Sequence, residues 1–66
     1  MFELTIKTGN AAFSGPDGED DAYARDREIA RLLRKIAKRL EDGDGGIELE
    51  TILDSNGNTV GKWEVE

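Results

Sequence analysis

Sixty-six residues with a formal charge of −6, from fifteen acidic and nine basic side chains, make one domain (1–66) near the size where a packed core only just outweighs chain entropy. With neither cysteine nor histidine present, disulfides, thiolate metal sites, Cys/His nucleophile pairs and imidazole bases are excluded together, and the fold must rest on packing. No apolar run approaches the roughly 20 residues of a bilayer span, and Met1-Phe2-Glu3-Leu4 lacks the basic-then-apolar pattern of a signal peptide, so the expected setting is the cytoplasm, away from membranes.

Phe2, Leu4 and Ile6 alternate with Glu3, Thr5 and Lys7, the period of a strand with one buried face. Gly9 to Gly18 holds three glycines and the only proline and reads as a loop, within which Phe13 is expected to dock on the core. Asp17 is placed to cap a helix, with Glu19, Asp20 and Asp21 at the positive end of its dipole. Ile29, Leu32, Leu33, Ile36, Ala37 and Leu40 then recur at spacings of three and four, an apolar stripe with Leu33 expected at its centre. Gly43, Gly45 and Gly46 stop the helix.

Ile47, Leu49 and Leu53 alternate with Glu48, Glu50 and Asp54, and Asn56-Gly57-Asn58 leads into Val60 to Glu66, which predicts a β-hairpin. If Leu49 and Leu53 share the core face with Trp63 and Val65, paired residue numbers have an even sum, so a three- or five-residue loop or a bulge near Gly61 is required. In that register Leu49 faces Val65 and Thr51 faces Trp63, while Glu50–Glu64 and Glu48–Glu66 oppose one another on the outer side. Like charges directly opposite cost stability.

The expected fold is α+β, in the order β-α-β-β, with one amphipathic helix packed on a three-stranded, mainly antiparallel sheet. Strand orders 2-3-1 and 1-2-3 both remain open.

Charge is unevenly placed. Ala22 to Leu40 carries seven basic against two acidic side chains, whereas the rest of the chain carries two basic against thirteen acidic. With the apolar stripe on the sheet, the basic residues Arg27, Arg31, Arg34, Lys35 and Lys38 are expected outward. The open sheet face is expected to gather Glu3, Glu48, Glu50, Glu64 and Glu66, joined by Asp17, Glu19, Asp20 and Asp21 at the helix start. Ordered carboxylates can imitate a line of phosphates and occupy a basic nucleic-acid channel in a protein partner. A solvated polar face is the plainer alternative for the sheet, and cations covering a helix flank the plainer one for the helix. The negative net charge disfavours direct nucleic-acid binding.

Asp54-Ser55-Asn56-Gly57-Asn58 starts like a calcium loop, but Thr59 and Val65 stand where glycine and glutamate are needed, so no metal site is expected. The glycine clusters match no phosphate-cradling pattern. Trp63 is expected in the core and Tyr23 partly exposed. Carboxylates alone could serve as catalytic groups, and one helix on three strands offers no deep cleft, so neither enzyme activity nor a cofactor is expected.

Thr8-Gly9-Asn10-Ala11-Ala12-Phe13, Ile29 to Gly43, and Leu53 to Gly61 resemble small orphan proteins of bacterial phages and mobile elements. In size, acidity and lack of catalytic residues the chain is also similar to anti-CRISPR inhibitors of type I surveillance complexes. That resemblance implies action in a bacterial host cytoplasm on a Cas subunit, as a monomer or small homo-oligomer, by blocking nucleic-acid binding. The alternative is a phage accessory module whose basic helix contacts an acidic protein or nucleic acid.

Overall fold

The computed structural model describes residues 1–14 and 22–66. Strand β1 (Phe2–Ile6) is followed by a single 3₁₀ turn (Ala11–Phe13), helix α1 (Ala22–Asp42), and strands β2 (Leu49–Leu53) and β3 (Thr59–Val65). The helix lies on a three-stranded sheet of order β1-β3-β2, antiparallel at both pairings, so the last strand is inserted between the other two. This is the α+β arrangement expected, with the first of the two strand orders. The capping role expected of Asp17, and the acidic cluster Glu19, Asp20 and Asp21, lie outside the described residues.

The core is small: Phe13, Leu32, Ile36, Ile52, Val60 and Trp63 are buried, with Leu4, Ile6, Ala12, Ile29, Leu40 and Ile47 packed around them. Leu32 and Ile36 stand one helical turn apart and Trp63 is fully buried beneath the helix. The Phe2 ring closes the sheet side at 6.1 Å from the Trp63 ring. Phe13 docks as its apolar surroundings suggested. The stripe is rotated from its expected centre, because Leu33 is 46% exposed and Ala37 is also exposed. Only the narrower pair Leu32/Ile36 points straight at the sheet, and Leu33 sits about 100° round the helix from Leu32.

The hairpin corrects a second expectation. Leu49 pairs with Glu64, Glu50 with Trp63, Thr51 with Lys62 and Ile52 with Gly61, one residue away from the even-sum register. A bulge does occur beside Gly61: Leu53 pairs with Thr59, so Val60 is the extra residue on β3. Beyond the bulge the pairing turns odd, and every β2 side chain changes face. Ile52 is therefore buried, while Leu49 and Leu53 stand 59% and 44% exposed. Gly61 is required at this crossing, since a Cβ there would overlap the Thr5 carbonyl.

The turn that sets this register is built on Asp54. Its backbone N–H donates to the Asn58 carbonyl (2.9 Å) and its carbonyl accepts from Gly57 N–H (3.0 Å), with Gly57 at φ +82°. One side-chain oxygen, Oδ1, accepts the N–H groups of Asn56 and Asn58, each at 2.9 Å.

Candidate interaction surfaces

Side chains alternate across a strand, so the register decides which acids share the open face. Glu3 and Thr5 of β1, Lys62 and Glu64 of β3, and Leu49, Thr51 and Leu53 of β2 face away from the helix. Glu3 lies directly opposite Glu64. Reciprocal Met1–Glu66 backbone bonds of 2.8 Å extend the ladder by one pair and set Glu66 on the same face. Three of the five expected glutamates are thus brought together, and Lys62 sits between Thr5 and Thr51 in the next row.

Glu48 and Glu50 are not part of that face. The one-residue slip turns both toward the helix, which removes the expected Glu50–Glu64 and Glu48–Glu66 oppositions. Glu50 is held there by Arg39: Nη2 donates to Oε2 at 2.6 Å and Nε reaches both carboxylate oxygens at 3.1 Å. This hydrogen bonding holds the Glu50 carboxyl below its ordinary range and raises the Arg39 guanidinium. Glu48 is exposed, and its carbonyl accepts from Val65 N–H at 2.8 Å.

The opposite end of the sheet uses carboxylates differently. Glu28, only 7% exposed, accepts from Arg31 through Nε (2.7 Å) and Nη2 (3.0 Å) and from the Ser55 backbone N–H (2.9 Å). The Arg31 hydrogen bond outweighs burial and lowers the Glu28 carboxyl. Asp54, also buried, takes the Asn10 amide at 3.2 Å on its second oxygen. Burial disfavours its charge, but the hydrogen bonds from Asn58, Asn10 and Asn56 prevail and its carboxyl is lowered too. These two groups join β1's exit, the helix and the hairpin. The i, i+3 spacing of Glu28 and Arg31 was the sequence signal for one of them; the reach to Ser55 had none.

Along α1, Arg25 pairs with Asp26 (3.0 Å), Lys38 with Asp42 (3.3 Å), and the Arg27 guanidinium lies 5.6 Å from the Tyr23 ring centre. Arg34 and Lys35 have no ion pair among the described residues. Arg27, Arg31 and Arg34 line an open groove of about 480 Å³ together with Ala12, Ala24, Glu28 and Ala30. On the β2 side, a cavity of about 220 Å³ runs between helix and strand, lined by Leu32, Lys35, Ile36, Ile52, Leu53 and Trp63 among others. The Trp63 Nε1–H is buried, with no hydrogen-bond acceptor among the described residues.

Among the described residues no helix is long and apolar enough to cross a membrane, and no group of three or more acidic, histidine or cysteine side chains is placed to hold a metal ion. No family model matches the chain, and neither a curated protein nor a solved structure is significantly similar to it.

Proposed function

We propose that this chain is a stoichiometric binding protein, an inhibitor that sets carboxylates against a basic surface of a partner and keeps nucleic acid off it. The observation that carries this reading is the pairing of Glu3 directly opposite Glu64, with Glu66 beside them on the open face. Like charges opposed across a sheet cost stability, and a domain this small has little to spare. None of the three has an ion-pair partner among the described residues, unlike Glu28 and Glu50. The contact set is accordingly Glu3, Glu64 and Glu66, with exposed Glu48 at the same end. The resemblance to inhibitors of type I CRISPR surveillance complexes nominates a Cas subunit as the partner and the bacterial cytoplasm as the place of action.

A non-catalytic role is consistent with the carboxylates that are buried or paired. Glu28 and Glu50 are paired with arginines and Asp54 accepts hydrogen bonds from amide N–H groups, and all three carboxyls are lowered, away from proton exchange near neutral pH.

The test is displacement of a labelled target DNA from a type I surveillance complex, followed by fluorescence anisotropy. The wild-type chain should displace DNA less well as salt rises, and Glu3→Gln/Glu64→Gln should weaken displacement by about tenfold or more. A second reading is favoured by the groove between Arg27 and Arg34, which fits an acidic protein segment or a phosphate backbone. If Arg27→Gln/Arg34→Gln abolishes binding while the glutamate pair is dispensable, that second reading replaces the first.

A further inference from the structure

Strand β2 ends the sheet, and Glu50, turned inward and held by Arg39, is the one charged side chain within it. The Glu48 carbonyl accepts from Val65 N–H and the Asp54 N–H donates to Asn58, so the even-numbered residues between them direct their backbone groups at β3. By alternation, Leu49, Thr51 and Leu53 direct theirs outward. The edge carries no proline and no lysine, and its two leucines are exposed. Above it runs the flank of α1 that bears Arg31, Lys35 and Arg39 at four-residue spacing, and Lys35 lacks a carboxylate partner among the described residues. Between flank and strand lies the 220 Å³ cavity lined by Leu32, Ile36, Ile52 and Trp63 among others.

From these features we infer that β2 pairs antiparallel with β2 of a second copy of this chain, the two-fold axis passing at Thr51, to join two three-stranded sheets into one. In that register Leu49 meets Leu53 of the second copy on the open face, in both directions, and Thr51 meets its own equivalent. Each of these facing pairs exchanges two backbone hydrogen bonds. On the helix side Glu50 of the second copy falls opposite Ile52, at the cavity beside Lys35, which makes no ion pair among the described residues. Glu48 of the second copy falls opposite Asp54, near the level of Arg31. The strand thus supplies apolar contact on the open face and a carboxylate beside Lys35, while the opposition of Glu48 and Asp54 works against the pairing.

The other edge does not offer this match. A copy pairing on β1 would bring Phe2, Leu4 and Ile6 toward the helix, and no carboxylate. The charge of −6 on each chain opposes association.

The absence of cysteine makes the test clean. Hydrogen-bonded antiparallel partners stand about 5.5 Å apart between Cα atoms, within disulfide reach, so Thr51→Cys on the two-fold axis should cross-link to itself. On oxidation with glutathione disulfide it should do so at least about tenfold faster than Thr5→Cys on the open face or Leu4→Cys on the β1 edge. Sedimentation of the wild-type chain should show a concentration-dependent dimer. Thr51→Pro, which deletes an outward N–H without touching the β3 ladder, should abolish that dimer while keeping a cooperative melt. A wild-type chain that stays monomeric to about 1 mM, or cross-linking that favours Leu4→Cys over Thr51→Cys, overturns the inference.

Discussion

The two ends of the sheet treat the same side chain in opposite ways. At the hairpin end, Glu28 and Asp54 are buried and every carboxylate oxygen accepts a hydrogen bond from an arginine, an amide side chain or the backbone. At the other end, Glu3, Glu64 and Glu66 crowd one face with no cation paired to them among the described residues. Carboxylates at the first end hold elements together; the side chains of those at the second make no ion pair among the described residues.

The strongest perturbation of this contrast is to the core that joins the ends. Leu32→Asp should abolish cooperative thermal unfolding, because it buries an unpaired charge beneath the helix, whereas Leu33→Asp should leave a cooperative melt. A loss of folding in both variants would mean that the helix packs by a wider face than Leu32 and Ile36.

Next in size is Glu28→Ala, which leaves the Ser55 N–H without its acceptor and should lower stability by about 1–3 kcal/mol in urea unfolding. An unchanged urea midpoint would show that the hairpin end does not depend on this carboxylate.

The same contrast has a pH dependence. Glu28, Glu50 and Asp54 are held below their ordinary values of 4.5, 4.5 and 3.8. A carboxyl lowered by folding contributes stability that is fully present above its unfolded-state value and is lost as pH falls through the folded one. The urea midpoint should therefore hold near neutrality and decline below about pH 4. Glu28→Gln should make that decline shallower, and an identical acid slope in the variant would assign the dependence to other groups.

The smallest effect is expected at the crowded end. Glu64→Gln should leave stability unchanged or raise it by about 0.2–1 kcal/mol through relief of the opposition with Glu3. A clear destabilisation would mean that Glu64 is structural after all, and the contrast between the ends would fail.

Much of this architecture was written locally. Alternation in Phe2 to Ile6, the three-and-four spacing from Ile29 to Leu40, the glycine stop after Asp42 and the Asn-Gly turn each act over a few residues, so the order of elements was legible without the fold. The pairing of Glu28 with Arg31 was legible in the same way. The face of β2 was not, because Leu49-Glu50-Thr51-Ile52-Leu53 has apolar residues at both parities and the strand's own pattern supports either side inward. The Asp54 turn and the extra residue at Val60 settled it, burying Ile52, giving Glu50 to Arg39 and leaving the leucines on an open edge. The meeting of Glu3 with Glu64 was likewise decided only by strand order and register, since it joins residues sixty-one positions apart through hydrogen bonds that no local sequence pattern encodes.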